Sequence, residues 1–194
     1  MKVAIVKYNA GNVESVRNAL RRLNVEPVLT DDAETLRSAD RVIFPGVGEA
    51  STAMRFLRER NLDEVIRSLA QPVLGICLGM QLLCRFSDEN ETPCLGILPY
   101  RVRRFAAGEL KIPQMGWNNI FDLKSDLFGG VAENSYVYFV HSFYVETGTE
   151  TIATCDYGVK FSAAVNYKNF YAAQFHAEKS GAVGEQILEN FLKI

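Results

Sequence analysis

Histidine is scarce in this chain, with two in 194 residues, and tryptophan occurs once. Any reaction that needs an imidazole must use His141 or His176. The four cysteines, Cys77, Cys84, Cys94 and Cys155, show no framework spacing and include no C-x-x-C pair, which removes the usual zinc and disulfide-scaffold readings. Neither a metal nor a cofactor is expected. Charge of one sign is lacking too. The 21 Lys and Arg against 23 Asp and Glu leave a formal net charge of -2, so nothing points to nucleic acid or a membrane surface as partner. No apolar run approaches the roughly 20 residues of a membrane span. The N-terminus enters a strand-like run with no small-residue cleavage site after it, which makes the cytoplasm the default location. The chain has no repeats, low-complexity segments or linker, so residues 1–194 are expected to form one domain, long enough for a core that needs no staples.

What is present is an alternation of patterns. Residues 2–8, 25–29 and 41–45 are strand-like. Val13, Val16, Leu20 and Leu23 recur on one helical face, with Asn12 as its N-cap, and Thr30 caps a short helix through Ala39. A helical pattern over residues 51–70 breaks near Asn61. Strands alternating with helices at this spacing predict an α/β fold, with a mostly parallel central sheet covered on both faces in a three-layer αβα arrangement. After Arg85 the texture changes. Residues 87–93 read as a polar loop, and 97–105, 136–140, 151–155, 161–165 and 170–175 are short β-like runs, expected as antiparallel additions at one side of the sheet. Arg101, Arg103 and Arg104 alternate with apolar residues and read as the wet face of a strand. A last helix turns Val183, Ile187, Leu188 and Phe191 toward the core.

The chemistry centres on residues 72–84. A short apolar run reads as a buried strand, apolar residues then recur at helical spacing, and Cys77 stands at the junction in Gly75-Ile76-Cys77-Leu78-Gly79. A nucleophile on a sharp strand-to-helix turn needs glycine on either side so that the two elements can pass closely. The helix N-terminus favours a thiolate, and the Leu78 N–H faces the place where an oxyanion would form. The same residues also suit a buried structural cysteine. A nucleophilic cysteine needs a base and the base an orienting group. His176 follows the strand-like run ending at Phe175, at the carboxyl edge where open α/β sheets place their sites. Glu178, two residues on, points the same way in extended backbone and can orient the ring. His141 is the competing base, without a carboxylate on its face. The Gly46-Val47-Gly48 turn lacks the Lys-Ser/Thr ending of a phosphate loop and better supplies a second oxyanion donor at Val47. Each feature read alone also suits an ordinary turn; together they meet the needs of an acyl-transfer thiol.

At these residues the sequence resembles the class I, or triad, glutamine amidotransferases, which share a flavodoxin-like sheet. Gly75 to Gln81 and Phe175-His176-Ala177-Glu178 match that family's nucleophile and His-x-Glu motifs, and the resemblance covers essentially the whole chain. Within the class it resembles the glutaminase subunits of imidazole glycerol phosphate synthases. The matching pieces are Tyr8 with Gly11-Asn12, Pro45-Gly46-Val47-Gly48, residues 113–118, residues 138–142 and Glu178-Lys179-Ser180. The resemblance implies that Cys77, His176 and Glu178 hydrolyse L-glutamine to glutamate and ammonia through a thioester. It implies that Gly46, Gly48, Gln81 and the backbone of His141, Ser142 and Phe143 hold the substrate's α-groups. It further implies a heterodimer with a cyclase subunit, a (βα)₈ barrel that uses the ammonia to make imidazole glycerol phosphate and AICAR in histidine biosynthesis. Asn12, Met115, Trp117, Tyr138 and Lys179 are expected on or near the docking face. Three departures stand out: Lys7 where an acidic residue is usual, Asn9-Ala10 in place of a glycine-containing pair, and Ala177 in place of proline. Two other readings compete, the glutaminase of pyridoxal phosphate synthase and a binding module in which Cys77 is a redox sensor. The first typically carries a Gly-Gly-Glu-Ser type loop, which Pro45-Gly46-Val47-Gly48 does not resemble.

Overall fold

A computed structural model of the chain describes residues 1–9, 11–106, 108 and 110–194. Ala10, part of one departure from the family pattern, lies outside them. The first half runs β1 (Val3–Val6), α1 (Val13–Arg22), β2 (Val28–Thr30), α2 (Ala33–Arg37), β3 (Arg41–Gly46), α3 (Ala50–Glu59), α4 (Leu62–Arg67), β4 (Val73–Cys77) and α5 (Leu78–Leu83). The second half adds β5 (Cys84–Ser87), β6 (Thr92–Pro93), β7 (Leu98–Arg104), β8 (Gln114–Ile120), β9 (Ser135–His141), β10 (Phe143–Val145), β11 (Thr151–Asp156), β12 (Lys160–Tyr167), β13 (Phe170–Ala173) and α6 (Gly181–Lys193). Among the described residues no helix is long and apolar enough to cross a membrane.

Seven strands form the central sheet in the order β11-β12-β13-β4-β3-β1-β2. From β2 to β13 all pairings are parallel, and β12 and β11 extend that edge antiparallel. Successive side chains on a strand face opposite ways, and the apolar ones divide accordingly. Ala4, Val6, Val42, Phe44 and Val73 join the α2 to α5 face, whereas Val3, Ile5, Ile43, Leu74 and Ile76 meet α1 and α6 on the other. These strands read as continuous apolar runs because both faces are covered. The expectation of a mostly parallel three-layer α/β sheet is met, and that of antiparallel additions at its side holds for β11 and β12. The remaining additions lie elsewhere. β10, β7, β5 and β6 make a separate four-stranded sheet, and β8 pairs with β9 as a two-stranded ribbon.

Local differences have physical causes. Asn12 precedes α1, but with φ 71° it makes no side-chain cap; its carboxamide is used elsewhere. Asp32 rather than Thr30 caps α2, accepting the Thr35 N–H at 2.7 Å. The break near Asn61 is real, since that residue takes a left-handed φ of 55° between α3 and α4. The polar loop at 87–93 is partly ordered, with a 3₁₀ turn at Glu89–Glu91 leading into β6. β8 was hidden because its polar and glycine-containing sequence carries little strand signal. Arg101 and Arg103 lie along β7 and pair with Asp88 and Glu146 at 2.5 and 3.1 Å.

Candidate active site

β4 ends at Cys77 and α5 begins at the next residue, so no loop separates strand from helix. Cys77 carries the cost of that turn in its backbone, with φ 54° and ψ -110°, a region that persists only where the surroundings enforce it. The flanking glycines supply the room. A Cβ on Gly79 would collide with the carbonyl oxygen of Phe44, and one on Gly75 would lie 3.1 Å from the backbone of Gly79 and Met80. The elbow inferred from spacing is therefore the observed geometry.

His176 follows β13 and is fully buried, as is the side chain of Glu178. Their contact, Nδ1 to Oε1 at 2.7 Å, does not arise from an extended backbone as expected. Ala177–Lys179 form a 3₁₀ turn, and the turn rather than strand alternation brings the carboxylate under the ring. Ala177 opens that turn, the position whose φ suits proline, so alanine there leaves it intact. Asn12 completes the group: its Nδ2 donates to Glu178 Oε1 and lies 3.3 Å from His176 Nδ1. Burial favours the neutral imidazole, but the Cys77 sulfur in its thiolate form and the Glu178 carboxylate outweigh it and raise the His176 pKa. Among the described residues His176 Nε2 has no hydrogen-bond partner. The thiol faces it without closing a bond, and Sγ instead lies 3.8 Å from the Val140 carbonyl and 3.7 Å from Gln174 Nε2. Ser180 fixes the turn to the ribbon, with its Oγ donating to His176 O at 2.7 Å and accepting the Tyr138 N–H at 3.0 Å.

Cys77 opens on a cavity of about 300 Å³, lined also by Val47, Gly48, Leu78, Gln81, Glu89, His141, Ser142 and Phe143. Most of the expected site residues thus converge. Gly46 does not line it. A Cβ there would strike the Tyr8 hydroxyl and lie 3.0 Å from Leu78 Cβ, so its role is close packing beside Cys77, its partner in the β3–β4 register. The Phe143 carbonyl already accepts His141 Nδ1–H at 2.7 Å and Gln81 Nε2–H at 3.0 Å, and the Ser142 carbonyl accepts the Phe105 N–H at 3.1 Å. Those carbonyls are committed to the protein. Gln81 also gives its other N–H to Gln174 Oε1 at 3.0 Å, leaving its oxygen for a ligand. Glu89, unnoticed in a polar stretch without periodicity, places a carboxylate at the cavity.

His141 is not the base. Burial lowers its pKa to about 4, and His176 acts in the same direction. A neutral ring donates from one nitrogen only. With Nδ1 donating to Phe143, Nε2 must accept, whereas the atom 2.9 Å away is Gln114 Oε1; a half-turn of that carboxamide, whose Nε2 has no hydrogen-bond partner among the described residues, presents its NH₂ to the ring instead. This gives a pH prediction. Between about pH 6.5 and 4 the unfolded chain binds a proton at this histidine and the folded chain does not, so stability falls with pH, by about 3 kcal/mol in all. Urea unfolding at pH 7 and pH 4 should show this fall, and His141→Gln should remove it.

Of the expected docking residues, Met115 and Trp117 are 62% and 55% exposed, and Lys179 is exposed. Trp117 packs edge-on against Tyr138 across the ribbon, ring centroids 6.0 Å apart. Tyr136, 59% exposed and two residues from Tyr138 on β9, extends the patch. Asn12 is half-buried, with its amide turned to the triad.

The chain is 58% identical to the imidazole glycerol phosphate synthase subunit HisH of Bacteroides fragilis (strain YCH46), over all of both chains. It is 45% identical to the subunit of that name from Blochmanniella floridana, again over both full lengths. Among solved structures it superposes on a glutamine amidotransferase with a TM-score of 0.76 at 22% identity, covering 100% of this chain and 98% of the other, a likeness of fold. The family model described as "Glutamine amidotransferase class-I" matches residues 4–194. A cysteine elbow, a buried His-Glu pair and a match of that extent lead to one statement of kinship: the chain belongs to the class I glutamine amidotransferases.

Proposed function

We propose that this chain is the glutaminase subunit of an imidazole glycerol phosphate synthase, acting as one domain over residues 1–194. It hydrolyses L-glutamine to glutamate and ammonia and passes the ammonia to a cyclase subunit in histidine biosynthesis. The observation that carries the reading is Cys77 on a strained elbow at a cavity, beside a buried His176–Glu178 pair. In this mechanism Cys77 Sγ attacks the side-chain carboxamide carbon of glutamine. His176 Nε2, which has no other partner, takes the thiol proton and returns it to the departing ammonia. Glu178 and Asn12 hold the ring. The Leu78 N–H, first of its helix and without an intrahelical partner, and the Val47 N–H receive the oxyanion. Water then resolves the thioester. At the other end of the cavity Glu89 and the Gln81 oxygen hold the α-ammonium group, and the Gly48 and Ser142 backbones hold the α-carboxylate.

The ammonia-using partner docks on the aromatic ribbon, where Met115, Trp117 and Tyr136, beside a half-buried Tyr138, offer the kind of exposed anchors that carry interfaces. Lys179, beside Glu178, and Asn12 link that face to the triad. We assign the partner a (βα)₈ barrel. The cytoplasm suits a free nucleophilic thiol, and all four cysteines are free. The test is covalent capture. A glutamine analogue bearing an electrophile at its amide carbon, added with the cyclase present, should label Cys77 alone, read by peptide mass spectrometry. Labelling at another residue would overturn the assignment.

A further inference from the structure

We propose that Gln174 is a further catalytic residue of this chain, its carboxamide N–H being the fixed donor to the Cys77 sulfur whenever that sulfur is negatively charged. The inference rests on the reading of Cys77 as the nucleophile. Gln174 is fully buried, two residues before His176, and its Nε2 lies 3.7 Å from Sγ. Which end of the amide faces the sulfur is settled by the next contact: Oε1 accepts from Gln81 Nε2 at 3.0 Å. Gln81 is held in turn by the Phe143 carbonyl at 3.0 Å, and that carbonyl by His141 Nδ1–H at 2.7 Å. The Gln174 NH₂ therefore ends a buried chain of hydrogen bonds and cannot turn away without leaving a buried Gln81 N–H unsatisfied.

The surroundings of the sulfur give this donor its significance. On one side the Val140 carbonyl, 3.8 Å away, accepts from the neutral thiol and opposes a thiolate. On the other, Gln174 donates, and a donor binds an anion much more strongly than a neutral sulfur. Sulfur is anionic at two moments. One precedes attack on the amide carbon. The other is thioester hydrolysis: the water oxygen bonds to the acyl carbon, its proton goes to His176, and the C–S bond breaks with the electron pair on sulfur, releasing glutamate and Cys77 thiolate. An N–H already aimed at the sulfur from a fully buried side chain needs no reorganisation at either moment.

The test measures the thiol directly. Iodoacetamide, a small amide electrophile, is reacted with the full chain from pH 6 to 10 in wild type, Gln174→Met and Gln174→Glu. All four cysteines are buried, but Cys77 opens on the cavity, whereas the thiols of Cys94 and Cys155 are pushed up to about 12 and that of Cys84 well above the ordinary value, so they do not compete. Wild-type alkylation at Cys77, mapped by peptide mass spectrometry, is the control for the underlying reading, and its absence would count against that reading rather than against Gln174. Gln174→Met, which removes the donor, should slow alkylation at pH 7 about tenfold, the worth of one hydrogen bond to a charged group. Gln174→Glu, which keeps the acceptor for Gln81 but opposes the anion, should slow it further. Both deficits should close toward pH 10, above the ordinary thiol range. Rates within twofold of wild type at pH 7, or a deficit unchanged at pH 10, would overturn the proposal, the latter being a packing effect. Should either variant unfold by circular dichroism, the wild-type chain decides: the Gln174 side-chain amide protons should shift as Cys77 ionises, and a signal that does not move sinks the idea.

Discussion

Replacing Cys77 by alanine should lower glutamine hydrolysis by the complex with its cyclase at least about 10⁴-fold, while synthesis from added ammonium salt stays within about twofold of wild type. The size of the loss follows from the chemistry. Without Sγ there is no thioester, and the remaining groups can only orient water against an unactivated amide. The selectivity follows from the structure. The alanine methyl is smaller than the thiol it replaces, whose hydrogen bonds to the fold, at 3.8 and 3.7 Å, are both long, so the elbow and the exposed ribbon are left alone. Steady-state ammonia release and ammonia-dependent turnover, measured on the same preparation, check both halves. The paired readout separates an enzyme from a binding module that uses Cys77 as a redox sensor. A binding module would have no glutaminase to lose and would keep its partner affinity.

How much of this was legible in the residues depends on where the information lies. Strand β4, helix α5 and the glycines around Cys77 could be read because a buried parallel strand, an amphipathic turn and two missing Cβ atoms all leave marks in a short window. His176 and Glu178 could be paired because they are two residues apart, although a 3₁₀ turn makes the contact. What escaped was long-range. Asn12 reaches Glu178 across 166 positions, Gln174 reaches Cys77 across 97, and His141 meets Gln114 across 27. A carboxamide carries the same label whether it caps a helix, faces solvent or closes a buried network. Only the fold tells these apart. Trp117 is the reverse case: a lone tryptophan is equally at home in a core, only the resemblance put it on a docking face, and its exposure on the ribbon follows from the pairing of β8 with β9.

The other large effect concerns the fold of the elbow itself. Gly79→Ala should destabilise the chain by more than about 3 kcal/mol, or prevent its folding, whereas Gly108→Ala, whose Cβ meets nothing within 4 Å among the described residues, should change stability by less than about 0.5 kcal/mol. The added methyl on Gly79 would overlap the Phe44 carbonyl oxygen. Its obstacle is backbone, which cannot rotate aside as a side chain can. Phe44 is buried in β3, which pairs directly with β4. Relief would therefore require either α5 to lift from the sheet or β3 to shift against β4. Each would move Cys77, whose positive-φ backbone is held by that packing and by the pairing of β4 with β3. Denaturant midpoints for the two variants, compared at equal m-value, are the check. A Gly79→Ala chain as stable as wild type would mean that α5 can slide along the sheet without cost, and with it would go the argument that close helix-to-strand approach fixes the nucleophile.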